Sequence, residues 1–267
     1  MSYFCTMSGT WEAKHYLRYL ATARSRYRIH SPFLFQLIED VFRDKTRYPD
    51  YQTLKQLKKE LLNDRSVIEV TDLGAGSRVS SSPIRSVSSI TKNTTKTPRM
   101  LRLIYRFVRY FKPFNIIELG TSVGLTSAAM ALANPEGNVY TVEGCPNIAN
   151  RARKNFDQLK LTNITAITGS FDEKLPEILK ATGTVHLAFV DGNHRYEPTL
   201  EYFKLLAGAS CNETILIFDD IYWSPEMTRA WEEISNDPAI TLSLDLFHLG
   251  ILFFRKELSP ERIVLRF

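Results

Sequence analysis

The chain has 267 residues, 44% of them apolar and 24% charged, and carries a formal net charge of +5. That balance is the one expected of a soluble globular protein large enough for one domain, or for a domain with an extension. It excludes a membrane-spanning protein, since no apolar run approaches about 18 residues, and the opening MSYFCTMSGTWEAKHY lacks the basic-then-apolar order of a secretory signal.

In chain order, residues 11–62 read as helical in two or three pieces. Trp11–Ala23 is the first. Ser31-Pro32 opens the second, with serine as cap and proline at the first helical position. Phe33, Leu34, Leu37, Ile38, Val41 and Phe42 then recur at helical spacing, and Leu54, Leu57, Leu61 and Leu62 mark a third piece. VIEVTDLGAGS (67–77) carries a glycine motif, Asp72-Leu73-Gly74-Ala75-Gly76. Residues 77–98 are Ser/Thr-rich and show no apolar helical stripe, so the expectation is a turn leading into a flexible segment that covers the active site. The glycine motif as a cofactor loop is the weaker alternative, because no strand ending in an acid follows it.

From Arg99 the alternation becomes regular. A basic, aromatic amphipathic helix (Met100–Tyr110) precedes strand Phe114–Leu119. Helix Leu125–Ala133, strand Asn138–Val142, helix Pro146–Leu159, strand Ile164–Thr168 and helix Asp172–Lys180 follow. Then come strand Val185–Val190, helix Glu197–Leu206, strand Thr214–Phe218 and a helix capped by Ser224-Pro225. Thr241–Phe247 and Gly250–Phe254 are joined too tightly for an intervening helix and are expected to pair antiparallel. The predicted organisation is a mostly helical N-terminal extension (1–98) and an α/β domain (99–267) with a parallel sheet.

Asn115–Ser127 (NIIELGTSVGLTS) is the most informative stretch. An apolar strand ends in an acid and a glycine, and a glycine-bearing turn opens a small-residue helix, as at the start of a nucleotide-type α/β unit. Gly120 and Gly124 are four apart. Ser122 stands where a dinucleotide fingerprint needs its second glycine, which disfavours a pyrophosphate-bearing cofactor and a nicotinamide oxidoreductase. About 20 residues on, strand Asn138–Val142 ends at Glu143, the position from which a carboxylate accepts ribose hydroxyls. On these residues the chain resembles the class I S-adenosylmethionine-dependent methyltransferases, and within them the catechol- and caffeoyl-type O-methyltransferases, over roughly Arg99–Lys256.

The resemblance implies a Rossmann-like, doubly wound seven-stranded sheet with a terminal antiparallel hairpin. It implies S-adenosylmethionine bound by Glu118, Gly120, Thr121, Ser122 and Gly124, with Thr126 at the methionine carboxylate, Glu143 at the ribose, and Ser170, Phe171 and Asp172 at the adenine. Core packing is the alternative for Phe171. Asp191 after the fourth strand joins Asp219 and Asp220 after the fifth as the implied ligands of Mg²⁺ or a similar divalent ion. Such an ion would lower the acceptor hydroxyl's pKa, and substrate orientation by Asp191 is the alternative. The relatives usually carry a lysine base near Asp191. Here His194 and Arg195 stand instead, so His194 becomes the expected base, with hydrogen bonding or metal association as its rival. Tyr222, Trp223 and Met227 either wall an aromatic acceptor or pack their helix.

Charge is uneven: net +7 over residues 1–98 and −2 over the rest. A basic arm admits an RNA or other nucleic-acid partner, but its basic residues are scattered among acids. DGNH after the fourth strand is not the proline-rich motif of base N-methylation. The expected acceptor is a small hydroxylated molecule and the expected location cytoplasmic, in keeping with three distant cysteines (Cys5, Cys145, Cys211) that form no disulfide framework. A non-catalytic cofactor-binding protein and a homodimer stand as open alternatives.

Overall fold

The computed structural model describes residues 10–71 and 83–267. Cys5, the Asp72–Gly76 glycine motif and residues 77–82 lie outside the described residues. The chain begins with helices α1 (Thr10–Thr22), α2 (Pro32–Leu37, running on as a wider turn over Ile38–Phe42) and α3 (Asp50–Asn63). A two-stranded antiparallel pair, β1 (Val67–Glu69) and β2 (Ile84–Ser86), leads into α4 (Val87–Thr94) and α5 (Pro98–Phe111). The α/β alternation then runs β3 (Asn115–Leu119), α6 (Leu125–Ala133), β4 (Asn138–Glu143), α7 (Pro146–Gln158), β5 (Ile164–Thr168), α8 (Phe171–Thr182), β6 (Val185–Val190), α9 (Tyr196–Gly208), β7 (Ser210–Asp219) and α10 (Pro225–Ile234). It closes with β8 (Leu242–Asp245), β9 (Leu249–Phe253) and β10 (Glu261–Val264).

The large sheet has the order β10-β8-β9-β7-β6-β3-β4-β5. Strands β3 to β7 run parallel, and β9 is antiparallel to both β7 and β8, which is the expected hairpin. The chain moves outward from β3 to β5, returns to β6 on the other side of β3, and so places its topological switch point between the carboxyl ends of β3 and β6, where ligands bind in such sheets. The sheet has eight strands rather than the seven expected. The eighth, β10, pairs parallel with β8. It escaped the sequence reading because ERIV is short and only its Ile263 is buried.

Strands covered by helices on both faces need apolar residues at successive positions, and β3 (NIIEL) is buried throughout. Its side chains alternate between two cores. Ile116 joins Phe189, Ile215 and Ile217 beneath α5 and α6, and Ile117 joins Ala188, Leu216 and Phe218 beneath α8, α9 and α10. Helix α5 is set by Thr97, whose hydroxyl accepts from the Met100 amide at 3.3 Å, with Pro98 at the first helical position.

The N-terminal segment is part of the first core. Leu34, Leu37, Val41, Leu54, Leu57, Leu61, Val87 and Ile90 pack with Leu103, Ile104 and Phe107 of α5 and Ala128 and Ala129 of α6. Its start is also tied to the chain's end. The Arg24 amide donates to the Val264 carbonyl at 2.7 Å, and the Tyr19 hydroxyl donates to the Leu265 carbonyl at 2.7 Å.

One expectation is corrected. The stretch expected to be flexible and unpacked forms β2 and α4 from Ile84 onward. Ser86 caps α4 by accepting from the Ser89 amide at 3.2 Å, and Val87, Ile90 and Thr91 are buried. A buried threonine completes an i, i+3, i+4 stripe in which only two residues are apolar, so composition hid the packing face.

Candidate active site

The turn after β3 is shaped by two glycines. Gly120 has φ +109°, and a Cβ there would run into the Asp191 backbone carbonyl. The ends of β3 and β6 are that close, and the Asp191 amide donates to the Leu119 carbonyl at 2.8 Å. Gly124 has φ +79°, and a Cβ there would meet the Phe156 ring at 2.5 Å. Between them the Ser122 amide donates to Glu143 Oε2 at 2.9 Å, while the Cys145 amide donates to Glu143 Oε1 at 3.0 Å. One carboxylate thus knits the turns after β3 and β4.

Beneath that turn Glu118 is fully buried. Its Oε2 accepts from the hydroxyls of Ser127 and, at 2.5 Å, Thr141. Its Oε1 is buried and has no hydrogen-bond partner among the described residues. Burial raises its pKa to about 8, against the lowering effect of the two hydroxyls.

These ends of the strands open on a cavity of about 370 Å³, within the range of small-molecule sites. Gly120, Ser122, Glu143, Ser170, Phe171, Asp172, Asp191, His194 and Asp220 all line it. Four of the expected cofactor residues do not: Glu118, Thr121, Gly124 and Thr126 are absent from its wall. Asp219 also lies behind it, 3% exposed. Of the three aromatic or sulfur candidates after β7, Trp223 alone reaches the cavity. Met227 is buried, and the Tyr222 hydroxyl donates to Asp245 Oδ2 at 2.5 Å.

The expected adenine corner is built by residues that the sequence reading did not single out. The Tyr202 hydroxyl donates to Asp172 Oδ1 at 2.6 Å, and Asn193 Nδ2 donates to the Tyr202 oxygen at 2.9 Å. Tyr202 meets Phe171 edge-on with centroids 5.9 Å apart, and a Cβ on Gly192 would come within 2.7 Å of the Phe171 ring. Phe171 is therefore a cavity wall, and only glycine lets β6's loop approach it. Asn193 Oδ1 is buried without a partner among the described residues. Position 202 reads as an ordinary apolar position of α9, and only the facing Asp172 gives it a polar role.

The opposite wall departs from the implied metal centre. Lys96 Nζ lies 2.8 Å from Asp191 Oδ2 and also donates to Asp219 Oδ2. Burial works against the ammonium, but the carboxylates of Asp191, Asp219 and Asp220 outweigh it and hold the Lys96 pKa above the usual lysine range. Burial raises Asp191 to about 6 and raises Asp219 too, with Lys96 pulling both down. Among the described residues no three His, Cys, Asp or Glu side chains are grouped to hold a metal ion. The expected set Asp191, Asp219 and Asp220 therefore does not fit a divalent ion as arranged, because an ammonium already bridges two of its members. His194 stands beside them, Nε2 3.9 Å from Asp191 Oδ1, with its ring centroid 6.0 Å from that of Trp223. The signal for Lys96 lay in Lys96-Thr97-Pro98, a lysine fixed against a helix cap.

Residues 117–221 match the family model described as a methyltransferase domain. They run from β3 through the loop after β7 and so contain the switch point and both walls of the cavity contributed by the sheet. Over this stretch the chain is similar to a methyltransferase domain. Relatives of this domain include the protein-L-isoaspartate O-methyltransferase of Ignicoccus hospitalis, 29% identical over 118 residues, 44% of this chain and 46% of that protein. The tRNA (guanine-N(7)-)-methyltransferase of Mycoplasma mobile is 35% identical over 33% of this chain and 44% of its own. The match thus spans less than half the length of these curated relatives. Solved methyltransferases share the domain's fold over most of their length. The SAH-bound methyltransferase PaMTH1 of Podospora anserina has a TM-score of 0.59, with 14% identity over 85% of this chain and 97% of its own. The O-methyltransferase TomG of Streptomyces achromogenes, in complex with SAM, has a TM-score of 0.56, with 15% identity over 81% and 96%. No helix among the described residues is long and apolar enough to cross a membrane.

Proposed function

We propose that this chain transfers a methyl group from S-adenosylmethionine to a hydroxyl oxygen of a small molecule. The observation that carries the reading is the pairing of two walls in one cavity. On one side stand the Gly120 turn, Glu143 and the Phe171-Asp172 corner, and on the other His194, Asp191, Lys96 and Trp223. The first wall suits a nucleoside: a glycine turn that no Cβ could occupy, a carboxylate at the tip of β4 for ribose hydroxyls, and a ring beside an acceptor for adenine. The orphaned buried acceptor in the cavity wall, Asn193 Oδ1, suits a ligand that brings an N–H donor.

Bound there, the cofactor supplies a methyl group on a sulfonium and leaves as a neutral thioether. The acceptor's O–H proton passes to His194 Nε2 as the oxygen forms its bond to the methyl carbon. Asp191, with Oδ1 3.9 Å from that nitrogen, offsets the charge of the imidazole once it is protonated. Trp223 gives the acceptor an apolar face.

The nucleic-acid reading finds less support. Basic residues of the N-terminal segment are engaged internally: Arg24 with Glu261, Arg26 and Arg43 with Glu39, and Lys58 on the Lys96 carbonyl. Calorimetric titration with S-adenosylhomocysteine, followed by transfer of labelled methyl to a panel of hydroxylated aromatic and aliphatic acceptors, tests the proposal. Absence of cofactor binding at millimolar concentration refutes it, and methylation of tRNA but not of the panel refutes the choice of acceptor.

A further inference from the structure

We propose that Lys96 is a built-in cation which takes the place of a divalent ion between Asp191 and Asp219, so that this methyltransferase site binds no metal. The inference rests on the methyl-transfer reading for its chemical meaning, but its geometry stands alone. Two carboxylates from the ends of neighbouring strands β6 and β7 converge, Asp191 with 16% of its side chain exposed and Asp219 with 3%. Two such acids cannot both stay ionised in a cleft without a counter-charge. A divalent ion is one solution. The Lys96 ammonium, 14% exposed and bonded to both, is another, and both cannot fill the same space.

The lysine is held there by its backbone. Residues 95–97 form the short link between α4 and α5. The Thr95 hydroxyl donates to the Thr91 carbonyl at 2.7 Å, which fixes the end of α4. The Thr97 hydroxyl caps α5. Between them the Lys96 carbonyl accepts from Lys58 Nζ of α3 at 2.8 Å. The backbone carrying Lys96 is thus held on both sides and at its own carbonyl, and the side chain it projects is only 14% exposed, unlike a surface lysine.

The substitution also changes what the acceptor must be. A divalent ion that keeps waters offers several positions and suits two adjacent oxygens on a substrate. An ammonium has three N–H donors, and two of them are spent on Asp191 and Asp219. One donor remains for one oxygen. Lys96 lines the cavity, so the site is fitted to an acceptor presenting a single hydroxyl, with no chelating pair required.

The test is a Mn²⁺ titration of the full chain followed by electron paramagnetic resonance, with S-adenosylhomocysteine binding measured on the same samples. The wild-type chain is expected to leave the free-ion spectrum unchanged. Lys96→Ala is expected to take up one Mn²⁺ per chain, and the double variant Lys96→Ala with Asp219→Asn to lose it again. Stoichiometric Mn²⁺ uptake by the wild type, lost in Asp219→Asn, overturns the inference. So does a folded Lys96→Ala chain that takes up none. If Lys96→Ala does not fold, the wild-type and Asp219→Asn titrations decide the matter alone. Failure to bind S-adenosylhomocysteine would strike the proposed function and leave the metal result to be read separately.

Discussion

Glu118→Gln makes the sharpest thermodynamic prediction, because Glu118 is fully buried with one oxygen unpartnered among the described residues and a pKa raised from 4.5 to about 8. Below the unfolded-state value the group is protonated in both states and its titration costs nothing. As pH rises, the unfolded chain ionises first, so the folded state loses stability by about 1.4 kcal/mol per pH unit until the buried group itself ionises near pH 8. At pH 7 the accumulated cost is about 3 kcal/mol. Glutamine does not ionise, so it removes the slope. It also places an amide NH₂ where Oε1 has no partner, or turns it toward the two hydroxyls, at a roughly pH-independent cost of about 1–3 kcal/mol. The stability difference between the two proteins should therefore change by roughly 3–4 kcal/mol between about pH 5 and pH 8 in favour of the variant, whatever its offset. Urea unfolding across that range, followed by tryptophan fluorescence, measures it. The other titrating groups, Asp191 among them, are common to both chains and cancel. Parallel stability curves would refute the assignment of a neutral buried carboxyl at position 118.

Glu143→Ala should weaken S-adenosylhomocysteine binding by about 1.5–3 kcal/mol in calorimetry, since the variant loses charged acceptors for the ribose and for the Ser122 and Cys145 amides. Gly120→Ala should cost about 1–3 kcal/mol in backbone strain alone and more from the clash with the Asp191 carbonyl, seen as a lowered thermal midpoint together with lost cofactor binding. An alanine variant as stable as wild type would mean that β3 and β6 do not approach as described. His194→Ala should lower kcat by about 10²–10⁴ with little change in cofactor affinity if the imidazole takes the acceptor's proton. Equal turnover in the variant would remove it from the mechanism.

The alternation of β3 to β7 with their helices was legible because both-face burial writes continuous apolar runs between helix caps, and the hairpin followed from a connection too short for a helix. Acids at strand ends were legible as a set for the same reason. The misses share another cause. Val87, Ile90 and Thr91 form a packing stripe only because the surface they meet is supplied by α3, more than 20 residues earlier in the chain. Likewise Tyr202 acquires its role from Asp172, 30 residues away in the chain, and Lys96 from carboxylates 95 and 123 residues away. A local pattern cannot report a partner that tertiary structure provides. The metal expectation was formed without Lys96 on that ground: the three acids were visible, and the ammonium between them belonged to a stretch whose composition suggested a loop.

The shared core of the N-terminal segment has a consequence for how this protein could change its substrate. Val70, Thr71 and several residues between Arg85 and Lys96 help line the cavity, and α4 sends Val87 and Ile90 into the first core. In folds where substrate-facing loops hang outside the packed layers, those loops can be exchanged while the scaffold stays intact. Here Ile90 both faces the cavity and fills the core. A substitution that widens the site is also a cavity in the interior, with a cost of about 2–5 kcal/mol for Ile→Ala. Selection for a new acceptor therefore draws on the fold's own margin, which for a domain is about 5–15 kcal/mol. Such variants should arise in pairs, each altered wall residue accompanied by a stabilising change elsewhere.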